Sequence, residues 1–160
     1  MMRIKSVFLT FLLIGLLTVT GCSDANDSNG DAENGSADAL TEPPGLTVHA
    51  GEESVRAELG TYSWRITHED GTETAIEADS AAPPALVELS EPLAVSSDAS
   101  VELDFEEEPQ SYTVRIWDEE NTVLSESDEV ELSGEGTVIY EVLAEWEKGT
   151  ASYAFSLDID

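Results

Sequence analysis

From Leu46 onward, apolar residues recur at every second position in short runs. Leu46–Ala50 predicts a first strand, and Val55–Leu59 a second, broken by Gly60. Tyr62, Trp64 and Ile66 then alternate with Thr61, Ser63, Arg65 and Thr67. His68-Glu69-Asp70-Gly71 predicts a turn, with Asp-Gly as its hairpin signal, and Thr74–Ala78 returns from it. Pro83-Pro84 interrupts ladder pairing because proline has no N–H to donate. Leu86, Val87 and Leu89 predict a further short strand or edge segment before Pro92.

The second half alternates more cleanly. Val101, Leu103 and Phe105 share one face, and Glu106–Pro109 closes that strand. Tyr112, Val114 and Ile116 share the next, with Thr113, Arg115 and Trp117 opposite. Asp118–Asn121 predicts a turn, with Val123–Ser125 leading away from it. Val130 and Leu132 predict the inward side of another short strand, followed by a turn at Gly134 and Gly136. Val138, Tyr140, Val142, Ala144 and Trp146 line the longest strand. Lys148-Gly149 turns it into a last one carrying Ala151, Tyr153, Phe155, Leu157 and Ile159. A period of two places each set on one face. No sustained helical period follows residue 46. Short strands with turns every few residues predict an all-β, immunoglobulin-like antiparallel β-sandwich, with a closed barrel as the alternative. Tyr140 is placed like the tyrosine of a tyrosine corner, but no Cys…Trp…Cys framework accompanies it.

The pattern is different before residue 46. Arg3 and Lys5 precede an apolar run from Val7 to Val19 that ends in Val19-Thr20-Gly21-Cys22. The run has the length of a signal-peptide core and is short for a membrane span. Small residues before a cysteine at this place resemble a bacterial lipobox. That resemblance implies a lipoprotein signal peptide over residues 1–21, cleavage before Cys22, and a lipid on its thiol. An uncleaved anchor helix or an ordinary signal with a stray cysteine are the other readings. Cys22 is the chain's only cysteine, so an internal disulfide cannot explain it. Two acyl chains hold a protein on a membrane where one is marginal. Residues 23–45 are rich in Ser, Asp, Asn, Gly and Ala, with six acids and no base. They predict a disordered acidic tether, so that residues 22–45 carry the lipidated cysteine and the linker, and residues 46–160 the folded domain. Asp24–Asp31 meets no EF-hand frame.

Charge narrows the partners. The chain has 35 acidic residues against six Lys and Arg, a formal net charge of −29. Residues 46–160 hold 29 of the acids and four bases, Arg56, Arg65, Arg115 and Lys148. Such a surface repels nucleic acid and anionic headgroups, which excludes DNA and RNA as partners. It also fits a habitat of strong brine, although acids that simply keep an exported domain soluble would give the same composition.

Two blocks carry a family resemblance. Gly60-Thr-Tyr-Ser-Trp64 with Ala82-Pro-Pro-Ala-Leu-Val87, and Tyr140–Trp146 with Lys148-Gly149 and Ser152–Phe155, are similar to segments of small Bacillus-type Gram-positive lipoproteins of unknown function. The resemblance implies an extracytoplasmic β-sandwich on a lipid anchor and carries over no catalytic residue. Some members of that group have cysteines between the Trp block and the Pro-Pro block. This chain has none there, so no thiol role is implied.

Chemistry is sparse. No Gly-x-Ser-x-Gly and no His-x-x-x-His occurs, and His49 and His68 are the only histidines. His68-Glu69-Asp70, Glu106–Glu108 and Asp118–Glu120 could seat a cation, but solvated turns and strand ends explain them without one. No catalytic residue, metal site or cofactor is therefore expected. Trp64 and Trp146 sit among core positions. Trp117, beside Arg115, is on the face that should be outside, and it fits either a binding patch or packing under a loop. The expectation is a non-enzymatic, monomeric binding module of the cell envelope, held to the membrane through the lipid on Cys22 and meeting a protein or wall partner. A cation-binding or envelope-stress lipoprotein is the alternative.

Overall fold

The computed structural model describes residues 41–160; the expected signal peptide, Cys22 and the tether as far as residue 40 lie outside the described residues. The described chain forms ten strands and one helical turn: β1 Leu46–Ala50, β2 Glu53–Arg56, β3 Glu58–Thr67, β4 Glu73–Ala78, α1 Pro83–Leu86, β5 Leu93–Val95, β6 Val101–Phe105, β7 Ser111–Trp117, β8 Val123–Ser127, β9 Gly136–Trp146 and β10 Gly149–Ile159. A small sheet has the order β2-β1-β6 and a large one β4-β3-β10-β9-β7-β8, giving a β-sandwich. Every pairing is antiparallel except one: β5 runs parallel to the end of β10, with Leu157 opposite Leu93.

Two hairpins of the large sheet use the same turn chemistry. The loop after β3 closes with His68 N–H donating to Thr72 O at 2.8 Å, and the loop after β7 with Asp118 N–H to Thr122 O at 3.0 Å. Each needs one left-handed residue, Gly71 (φ 80°) and Asn121 (φ 63°), types that adopt this conformation at least cost. An aspartate accepts the loose N–H groups in each: Asp70 from Thr72, and Asp118 from Glu120 and Thr122. At the β9–β10 hairpin, Gly149 lies against the Ser63 carbonyl of β3, where a Cβ would collide.

The core lies between the two sheets. Trp64, Tyr140, Val142, Trp146, Tyr153, Phe155 and Leu157 from the large sheet pack with Leu46, Val48 and Phe105 from the small one. Phe105 meets Trp146 and Tyr153 edge-on, at centroid distances of 6.0 and 6.3 Å. Trp64 meets Trp146 edge-on at 5.6 Å, and Tyr140 stacks on Phe155 at 5.2 Å. The polar tips of buried aromatics find carbonyls. Trp146 Nε1 donates to Glu107 O at 2.9 Å, Tyr140 Oη to Glu131 O at 2.9 Å, and Tyr153 Oη to Pro44 O. The last bond docks buried Pro43-Pro44, the end of the expected tether, onto the domain.

Three sequence expectations change, and one strand, β5, was not expected. Gly60 does not end a strand; it sits inside β3, where the register with β10 shifts between Ala151 and Tyr153. Leu86–Leu89 is not a strand, because Pro83 and Pro84 occupy the first helical positions, where a missing N–H costs nothing, and start α1. Leu89 is instead 96% exposed. Val130 and Leu132 pack on the core from a loop with no ladder partner. β5 has no alternating signature, since three residues are too few to show a period.

Candidate functional site

The outer face of the large sheet is not a plain solvated surface. After β4 the chain crosses it as a strap, residues 79–92, with α1 packed over β3, β9 and β10. Both ends of the strap are tied to β3. Ser80 N–H donates to Thr61 Oγ1 at 3.2 Å, with the two hydroxyls 3.2 Å apart, and Ser90 Oγ donates to Glu58 at 2.9 Å. Small residues on β10 admit the strap: Ser152, Ala154 and Ser156 are all buried on this outward side. Gly60 completes the fit, because a Cβ there would run into the Ser152 hydroxyl and come within 3.4 Å of the Leu86 side chain.

Beside the strap is a groove of about 800 Å³. The strand register sets its floor in rows. Glu77, Ser63, Thr150, Glu145 and Ser111 form one row, and Ser152, Leu143 and Thr113 the next. Ala154, Glu141 and Arg115 form a third, with Glu126 of β8 beyond Arg115. Asp79 and Trp117 also line the groove. A second hollow of about 500 Å³, on the far side of α1, is lined by Pro84, Val87, Asn121, Ile139 and Ser156 among others.

Trp117 and Arg115, the pair singled out in the sequence, meet at one end of the groove. What joins them is Glu141, which sequence reasoning missed. The half-buried Trp117 ring donates its N–H to Glu141 Oε2 at 3.0 Å. Arg115 donates Nε to Glu126 at 2.8 Å and holds Nη1 3.8 Å from the same Glu141 oxygen. Glu141 is only 7% exposed, and burial pushes its carboxyl above the usual range against the opposing pull of the indole N–H and the guanidinium. A signal for this existed. β9 carries Ile139 and Leu143 on its outward side, which is unusual for a face open to water.

The acidic turns have local employment. Asp70 is held below the usual carboxylate range by the Thr72 hydroxyl and N–H. Glu106 is lowered by the Gly45 N–H and then by Arg56. Asp118 caps its own turn, and His68 Nε2 lies 2.8 Å from the Thr74 hydroxyl. Among the described residues, no three His, Cys, Asp or Glu side chains stand together as a metal site. The groove can bind and orient: it offers carboxylates, small hydroxyls and one indole edge. Compared with protein-family models, curated proteins and solved structures, the chain matches none.

Proposed function

We propose that this chain is a non-enzymatic, lipid-anchored binding module of the bacterial cell envelope, and that it takes its ligand in the groove on the outer face of the large sheet. The observation that carries the reading is the groove: a concavity beside a strap tied at both ends, which joins Trp117, Glu141 and the hydroxyls of Ser63, Thr113 and Thr150. Concave sites with a few convergent polar groups are the usual form of a ligand site. Placement at the membrane rests on the sequence, from the apolar run and the lipobox-like end at Cys22. The immunoglobulin-like assignment draws support from the Tyr140 hydroxyl, which bonds back to the Glu131 carbonyl nine residues upstream. Kinship with small Bacillus-type lipoproteins rests on the two sequence blocks alone. The alternative, a cation-binding lipoprotein using surface acid clusters, draws less support, because Asp70, Glu106 and Asp118 already serve turns and neighbouring N–H groups.

The test is made on anchored protein in a bacterial host. Cys22→Ala should abolish acyl labelling and block cleavage by the lipoprotein peptidase, and normal processing of that variant would overturn the anchor. A photo-crosslinking residue at Thr113, in the groove, should capture a ligand by mass that the same residue at Thr47, on the small sheet, does not. Equal capture at both positions would overturn the groove.

A further inference from the structure

Among the described residues, Glu141 is the only charged side chain that is buried. Its Oε2 accepts the Trp117 indole N–H at 3.0 Å and lies 3.8 Å from Arg115 Nη1. Arg115 is divided, because its Nε donates at 2.8 Å to Glu126, which is half exposed. No other titratable group is built into this contact. β7 brings Arg115 and Trp117, β8 brings Glu126 behind Arg115, and β10 places Ala154 opposite Glu141, with Ser152 and Ser156 to either side. α1 carries no titratable side chain. Asp79 and Glu88 of the strap and Glu119 of the β7–β8 turn line the two hollows around it. Glu145, the nearest acid on the same side of β9, is four residues away, about 13 Å along the strand. One buried carboxylate therefore holds both an indole and a guanidinium, and one proton changes both contacts.

Resting on the groove reading for what it regulates, we infer that Glu141 is a proton-operated latch on Trp117, closed when the carboxylate is charged and released when it takes up a proton. In the charged state the indole is pinned by a charge-assisted bond, about twice as strong as a neutral one, and Arg115 is shared. In the neutral state that bond weakens and Arg115 turns wholly to Glu126. Trp117 lines the groove, so release of its ring changes the shape of that end. The fold tolerates the change. Burial raises the Glu141 carboxyl above the usual range, so the folded domain binds this proton more tightly than the unfolded chain does. As the pH falls through the folded value, protonation adds stability and does not remove it. Asp70 and Glu106, the other shifted carboxyls, are lowered and stay charged while Glu141 becomes neutral. The latch thus opens at a pH above the one at which the rest of the acidic surface titrates.

The test follows the indole N–H and arginine Nε–H resonances of the full chain, in nonionic detergent, from about pH 8 down through the carboxylate range. Trp117→Phe identifies the Trp117 signal. A one-proton step is expected in both the Trp117 and the Arg115 resonances, at one shared midpoint above that of the exposed carboxylates. The Trp117 N–H should exchange with water faster below the step. Glu141→Gln, which keeps an acceptor for the indole but no charge, should remove the step from both signals. Glu126→Gln should keep the step and move it to lower pH, because Arg115 then turns to Glu141. Trp117→Phe should move the midpoint of the Glu141 carboxyl carbon to higher pH, because the indole N–H favours the charged form. A flat Trp117 signal, a step that persists in Glu141→Gln, or a midpoint shared with the exposed acids would overturn the latch. If Glu141→Gln does not fold, the opposite shifts of the other two variants decide the matter, and no shift in either overturns it. The titration needs no ligand, so it is settled apart from the Thr113 crosslink on which the groove reading stands or falls. Capture at Thr113 should differ on the two sides of the step. Equal capture would overturn the regulation and leave the groove standing.

Discussion

The inner and outer faces of β9 and β10 are built from the same 22 residues, yet they do different work. Inward, Tyr140, Val142, Trp146, Tyr153, Phe155 and Leu157 fill the space between two sheets. Their polar tips end on backbone carbonyls, so the inner face is closed and satisfied. Outward, Ser152, Ala154 and Ser156 are small, Glu141 is buried and held by the Trp117 indole and Arg115, and a strap covers only part of the surface. One face holds the fold together by apolar area. The other trades apolar area for shape and charge, and so can receive something. The difference teaches that burial alone does not mark a core: Glu141 and Tyr140 are adjacent and both buried, one held by packing and the other under an incomplete cover.

Truncating the inner face should give the largest effect. Tyr153→Ala should destabilise the domain by about 3–5 kcal/mol in urea unfolding, the usual loss for a core aromatic. Thr113→Ala or Thr150→Ala on the outer face should change it by less than about 0.5 kcal/mol. Similar costs on both faces would erase the distinction.

Gly60→Ala tests the joint between sheet and strap. The new methyl meets the Ser152 hydroxyl and comes close to its carbonyl, so the Ser152 side chain must turn away or β10 must shift. A loss of about 1–3 kcal/mol is expected, as for other overpacked sites. The indole of Trp117 should report the movement by fluorescence, and an unchanged melting temperature would mean that the Ser152 hydroxyl gives way at no cost.

The third prediction is a pH limb from the inner face. Burial, helped by Glu131, raises the Tyr140 phenol from 10.0 to about 12, and burial raises Tyr153 as well. Their protonated forms are favoured in the fold, so this contribution to stability is fully present below pH 10. It is lost as the pH climbs through the folded value near 12. Thermal melts between these limits should show the loss, and Tyr140→Phe should make it shallower. A flat alkaline limb would place the phenols in water.

Salt should act most gently and on the outside. All four bases of the domain lie within 4.0 Å of an acid, which leaves most of the acids without a basic partner. Screening their repulsion should raise the melting temperature by a few degrees between low salt and about 1 M sodium chloride, and potassium chloride should do the same. A large rise with millimolar calcium at matched ionic strength would favour specific cation binding instead.

The inner face was legible in the sequence because a strand buried on one side must alternate, and β3, β6, β7, β9 and β10 all do so. Both hairpin turns were legible from Asp70-Gly71 and Asp118–Asn121, because few residue types accept the left-handed conformation. Trp117 and Arg115 could be singled out because they break the expected polar outer side of β7. The sequence by itself therefore determined the fold class, the strand faces, the turns and the acidic exterior, all of which follow from periods and residue types a few positions apart. Only the tertiary structure decided that residues 79–92 turn back over β10, that Gly60 is a point of close approach, that β5 joins the sheet in parallel, and that Glu141 is the partner of Trp117. Each of these rests on contacts between segments far apart in the chain. No local pattern encodes such a meeting, because the same Ser, Ala, Gly and Glu would serve equally well on an open, solvated strand.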